Sequence, residues 1–104
     1  MKNKVKLSDK AYFSIIDIIK FLARVNDIAA RKEKVLIFNC INSLCEFPLR
    51  HESVPGLKIN GRETYKFAID SGKYVVLYTI IENVVFIYDI LDSRKENKII
   101  KDIL

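Results

Sequence analysis

The residues able to act on a charged partner are cations. Lys58, Arg62, Lys66, Lys73, Arg94 and Lys95 all fall in the second half of the chain, around segments whose alternation reads as β-sheet. Cations fixed on a sheet face can hold a phosphate backbone, or stabilise the added charge of a pentavalent phosphate transition state. An antiparallel sheet also exposes polar residues on its outer face without any ligand, so the set alone names no activity. Other chemistry is thin. His51 is the only histidine, and between Arg50 and Glu52 in a long loop it reads as an exposed bystander. The serines have no further histidine to pair with, which argues against a Ser/His/Asp arrangement. Cys40 and Cys45 lie on an expected helix, where a spacing of five turns the side chains about 140° apart. They read as two small buried thiols, not as a disulfide. No Cys/His grouping has metal-ligand spacing, and no phosphate loop, nucleophile elbow or dinucleotide fingerprint occurs, so neither metal nor cofactor is expected.

These residues need a frame. The 104 residues are half hydrophobic and 30% charged, with three Gly and two Pro, the balance of one globular domain spanning 1–104. The apolar runs are too short to span a bilayer. Met1-Lys2-Asn3-Lys4 is basic, but no apolar signal core follows, so the cytoplasm is the expected location and no membrane partner is expected. Net charge is +5, and it is uneven: residues 1–66 carry 13 Lys/Arg against 7 Asp/Glu, residues 67–104 carry 5 against 6. The basic portion suits an acidic partner, either nucleic acid or protein.

The pattern predicts an α+β domain in the order β-α-α-β-β-β. Lys4-Val5-Lys6-Leu7 alternates as a short strand. Ser8 offers a helix cap, and Tyr12, Ile15, Ile16, Ile19, Leu22 and Ala23 follow at helical spacing, widened by Phe13, Ile18, Phe21 and Val25. Asp27 caps a second helix running to about Cys45, whose buried stripe is Ile37, Phe38, Ile41, Leu44 and Cys45. The short connection makes the two an antiparallel hairpin. Pro48, Pro55, Gly56 and Gly61 mark a loop from about Phe47 to Asn60. Beyond it, Tyr65, Phe67 and Ile69 alternate with Thr64, Lys66 and Ala68. Tyr74 to Ile81 and Val84 to Leu91 complete an antiparallel meander, and Ile99, Ile100, Ile103 and Leu104 suggest a short terminal helix. Tyr65, Phe67 and Ile69 should share a core with Ile15, Ile19 and Ile41, leaving Lys66 on the open face.

The chain resembles the RelE/ParE superfamily of bacterial toxins from type II toxin–antitoxin modules. The resemblance runs through Ile41-Asn42-Ser43-Leu44-Cys45-Glu46-Phe47-Pro48, Val54-Pro55-Gly56-Leu57 and Tyr65-Lys66-Phe67-Ala68-Ile69. It is clearest in Gly72-Lys73-Tyr74-Val75-Val76-Leu77-Tyr78, similar to the family's Gly-x-Tyr-Arg-x-x-Tyr strand, and in the closing Val85-Phe86-Ile87-Tyr88-Asp89-Ile90-Leu91-Asp92-Ser93-Arg94. The resemblance implies a growth-inhibiting bacterial toxin, often associated with plasmid stabilization and neutralised by a cognate antitoxin. RelE-like members are ribosome-dependent mRNA endoribonucleases (mRNA interferases); ParE-like members poison DNA gyrase. Lys66 and Arg94 match cationic positions of the ribonucleases and are the candidate catalytic residues for that branch. Val75, however, replaces the strand arginine, Asp92 stands where the usual histidine falls, and Asn97-Lys98-Ile99-Ile100 lacks the aromatic acid/base. Without a titratable group near the phosphate, general acid–base cleavage loses its mechanism, which favours the ParE-like branch. The alternatives are the endoribonuclease and a non-toxic binding module on the same fold.

Overall fold

A computed structural model describes residues 3–95. Ser8 starts the first helix, α1 (Asp9–Val25), as expected: its backbone is extended and its Oγ accepts the Ala11 N–H at 2.9 Å. Asn26 alone joins α1 to α2 (Asp27–Ser43). Its own N–H donates to the Leu22 carbonyl at 2.7 Å, while its Oδ1 accepts from Ile28 and Ala29 at 2.9 and 3.2 Å. One residue therefore ends one helix and caps the next, which forces the hairpin. Asp27 is not the cap; it sits in the first turn of α2 and pairs with Arg31 at 2.9 Å.

Five strands form one sheet in the order β1-β5-β4-β3-β2: β1 (Lys4–Leu7), β2 (Glu52–Ile59), β3 (Arg62–Ile69), β4 (Tyr74–Ile81) and β5 (Val84–Asp92). Strands β2 to β5 are the antiparallel meander, and β1 adds parallel to β5, making the sheet mixed. Where a loop was expected, Pro48–Arg50 is a 3-10 turn and Glu52–Ile59 is a strand. Pro55 and Gly56 fall within the register shift between Ser53 and Lys58 on this outermost strand, where a missing N–H is tolerated. The expected terminal helix lies outside the described residues.

A bulge in β5 decides how the helices dock. Leu77 of β4 pairs with Asp89 while the next residue, Tyr78, pairs with Ile87, leaving Tyr88 as the extra residue. The bulge switches the strand's parity, so that Val85 and Ile87 before it and Ile90 after it all enter the same core. The start of α1 closes on this irregularity. The Ser8 N–H donates to the Ile87 carbonyl at 2.9 Å and its hydroxyl donates to the Tyr88 carbonyl. Asp89, only 2% exposed, accepts from the Ser14 hydroxyl at 2.6 Å and from the Ile90 N–H at 2.8 Å. Lys10 stands 3.9 Å from the other oxygen, its Nζ 5.0 Å from the Tyr88 ring centre.

The main core joins Ala11 and Ile15 of α1, Ile37 and Cys40 of α2 and Leu44 beyond it to Ile69, Val76, Tyr78 and Ile87. Ile19, Ile41, Tyr65 and Phe67 pack on it half-buried, as expected. The buried Tyr78 hydroxyl donates to the Pro48 carbonyl, tying the 3-10 turn to the sheet. Two expectations change. Tyr12, Phe13, Phe21, Val25 and Phe38 are exposed, because a helix lying on a sheet buries only a stripe of its circumference. The outer sheet face is not simply polar: Val75, Leu77 and Leu91 form a second buried cluster, with Val54 packed on it. This accounts for the near-continuous apolar run of β4, a strand buried on both faces.

Ile37→Ala should cost about 2–5 kcal/mol in chemical denaturation, since it empties a fully buried site. Ser14→Ala should cost about 1–3 kcal/mol by leaving the buried Asp89 carboxylate short of a donor. Phe13→Ala, at an exposed position, should cost far less than either.

Candidate functional site

The end of the sheet where β3 turns into β4 and β5 terminates faces the second half of α1 across a groove of about 510 Å³. Ile18, Phe21 and Leu22 make its apolar wall; Lys73, Tyr74, Asp92 and Arg94 make the opposite one, with Asp17 at the rim. Backbone bonds fix this wall. Gly72 N–H donates to the Ile69 carbonyl at 3.2 Å, Lys73 N–H to Asp70 at 3.1 Å, and Ser93 N–H to Lys73 at 3.0 Å. The turn is tight: Asp70, Ser71 and Gly72 have φ of 51°, 56° and 86°, and only the glycine adopts such values without strain.

Arg94 follows β5 in a 3-10 turn, Ser93–Lys95. Its side chain does not reach out alone. The guanidinium holds Asp92 in a fork, Nε to Oδ1 at 3.1 Å and Nη2 to Oδ2 at 2.7 Å, and its backbone N–H donates to the same carboxylate at 2.9 Å. The hydrogen bonding and charge of Asp92 push the guanidinium still further above its ordinary range. Lys73 Nζ lies 5.5 Å from the Tyr74 ring centre, a cation–π distance. Tyr74 is buried, and burial first, then the carboxylates of Glu33, Asp92 and Asp70, push its phenol above the usual tyrosine range.

Of the six cations of the sequence, the five whose side chains are described are dispersed. Lys73 and Arg94 share the groove. Lys66 alternates with Tyr65 and Phe67, which pack on the helix-side core, so it belongs to the opposite sheet face. Lys58 pairs in register with Glu63 at the β2–β3 hairpin, and Arg62 lines a separate cavity of about 590 Å³ with Leu49, Tyr65, Ile80 and the carboxylates of Glu46, Glu63 and Glu82. Lys95 closes the 3-10 turn.

His51 is not an exposed loop residue. The β2–β3 pairing of Glu52 with Lys66 and Ser53 with Tyr65 carries it opposite Phe67, where the rings stack at 3.8 Å, with Tyr78 edge-on at 6.4 Å. Cys40 is buried, its thiol pushed up to about 12 by desolvation, and Cys45 is half-buried; both are free. Sequence reasoning passed over Asp17, Phe21 and Tyr74 as site residues. The available signals were Phe21, on the flank of the α1 stripe, and Tyr74, within the Gly72–Tyr78 motif.

No helix among the described residues is long and apolar enough to cross a membrane. No curated protein matches the sequence. The fold superposes on a chain of the chromosomal ParDE TA system from P. aeruginosa with a TM-score of 0.71, at 13% identity over 88% of this chain and 96% of that one. At that identity the likeness is one of fold. The sequence itself matches the ParE toxin of type II toxin-antitoxin system, parDE, over residues 5–97, a stretch that runs from β1 through both helices and the groove. A helical hairpin docked on this meander, with the sequence match extending along nearly all of it, makes the chain a member of the ParE toxin family of type II toxin–antitoxin systems, within the RelE/ParE superfamily.

Proposed function

We propose that the chain inhibits growth by binding and poisoning DNA gyrase, and that a cognate antitoxin neutralises it. The observation that carries the target is the division of the two candidate ribonuclease cations: Lys66 belongs to one sheet face, whereas Arg94 lines the groove on the other and is forked onto Asp92. A phosphate in flight needs both charges on one side, together with a group that gives or takes a proton. The groove instead combines an apolar wall with balanced charge, the composition of a protein-recognition surface.

Exposed apolar surface supports the antitoxin. Phe13 (61%), Phe21 (62%), Val25 (77%), Ile28 (77%) and Val35 (57%) project from the hairpin into solvent, and exposed apolar residues of this size suit a partner that covers them. Lys20, Arg24, Arg31 and Lys32 stand among them, so the complementary partner is an acidic, amphipathic segment that orders as it binds.

Purified antitoxin-free protein should inhibit gyrase supercoiling and leave ribosome-bound mRNA intact. Arg94→Ala should leave the melting temperature essentially unchanged, because the fork it breaks is solvent-exposed, and should weaken gyrase inhibition by less than about thirtyfold. Cleavage of ribosome-bound mRNA that disappears in Arg94→Ala would place the protein in the endoribonuclease branch. Growth unaffected by induction, without an antitoxin gene beside this one, would identify a non-toxic binding module.

A further inference from the structure

The sheet face turned away from the helices is buried, although neither helix lies on it. Register places its residues. Thr64 pairs with Thr79, Lys66 with Leu77 and Val75 with Leu91, all opposite in parity to Tyr65, Val76 and Tyr78 of the main core. Ile59 joins this face from β2 through its pairing with Arg62, and Leu57 stands two residues before it. Thr64, Leu77, Thr79 and Leu57 are fully buried, and Val75, Leu91 and Ile59 nearly so. An antiparallel sheet with only one face packed shows water its other face. Both helices pack on the opposite side, where the Tyr78 hydroxyl also holds the 3-10 turn. Among the described residues, the half-buried hydrophobic packed on Val75, Leu77 and Leu91 is Val54, from the sheet itself. The threonines carry the same message. Thr79 donates its hydroxyl to the Glu63 carbonyl at 2.7 Å, but Thr64 Oγ1 is buried with no hydrogen-bond partner, where a bare sheet face would give it water.

We propose that residues 96–104 lie across this face and cover it, with Ile99, Ile100, Ile103 and Leu104 as the apolar layer. Position, reach and composition favour this occupant. The Ser93 N–H donates to the Lys73 carbonyl, which holds the exit from β5 beside Val75 and Leu91, at the near end of the buried face. From Val75 to Thr79 the face runs about 13 Å, at about 3.3 Å per residue. Residues 96–104 reach about 13 Å as a helix and about 30 Å extended, enough in either form. Their four apolar side chains recur at spacings of three and four, with Lys98, Lys101 and Asp102 between them, so one side can be buried while the other stays in water. Lys66, half-buried on this face, then borders a covered surface rather than the open one its alternation suggests.

The test uses the full chain with labelled methyl groups, and beside it a chain that ends at Lys95. In the full chain, nuclear Overhauser contacts should join methyls of Ile99, Ile100, Ile103 or Leu104 to those of Leu57, Val75, Leu77 or Leu91. These contacts should persist on dilution and be missing from isotope-filtered mixtures of labelled and unlabelled chain, which show only contacts between copies. Removing 96–104 should lower the melting temperature by several degrees and let the protein bind a dye that reports apolar surface. Ile103→Asp should reproduce most of that loss, and Lys101→Ala should not. Contacts seen only in the filtered mixture would make a second copy the cover and overturn the assignment. So would their absence from the full chain, or a shortened chain that melts like the full one and binds no dye. If the shortened chain does not fold, the methyl contacts of the full chain decide alone. Neither gyrase nor an antitoxin enters these measurements, so the result stands or falls apart from the proposed target.

Discussion

The extra residue at Tyr88 is the constraint on which the rest of this structure depends. Without it, β5 would alternate strictly, sending Leu91 toward the helices and Ile90 away from them. The bulge reverses that assignment halfway along the strand. It also breaks the ladder locally, which exposes the Tyr88 carbonyl. Ser8 takes that carbonyl with the same hydroxyl that caps α1, so the helix begins where the strand is irregular. The buried Asp89 carboxylate is satisfied from α1 as well. Removing the bulge would therefore detach the hairpin and reorder the core together, a cooperative linkage between features 80 residues apart in the chain.

The groove inherits this parity. Asp92 pairs with Tyr74, a core residue, so it stands on the helix side and meets Arg94 there. In a strand of unbroken alternation Asp92 would face the other way and the fork would have no place beside α1. Asp92 is thus the counter-ion of the neighbouring arginine. A charge satisfied by Asp92 is poorly placed to stabilise a phosphate, but a paired, oriented guanidinium remains a good partner for a protein surface.

The exposed residues of the hairpin complete the picture. Helices that were amphipathic only for their own sheet would show polar outer faces. Here Phe13, Phe21, Val25 and Ile28 remain in solvent beside lysines and arginines. Their exposure costs solubility unless a partner covers them, which fits a protein made to be held in a complex.

Period and punctuation in the sequence determined the class and order of most elements. A 3.6-residue stripe after Ser8, the alternation of Tyr65, Phe67 and Ile69 and the apolar runs at 74–81 and 84–91 each act within a few residues, so they are legible one segment at a time. The collinear motifs pointed to the superfamily for the same reason. Three things needed the tertiary structure. Strand β2 was hidden because Pro55 and Gly56 look like loop residues until a bulge on an edge strand accommodates them. His51 seemed exposed because its partner, Phe67, becomes a neighbour only once β2 and β3 are in register. Lys66 and Arg94 stood in one list in the sequence but belong to opposite faces of the sheet, since side-chain direction follows strand parity as far as Asp92. That parity is set by where a single extra residue is inserted, and β-bulges leave no periodic signal to read.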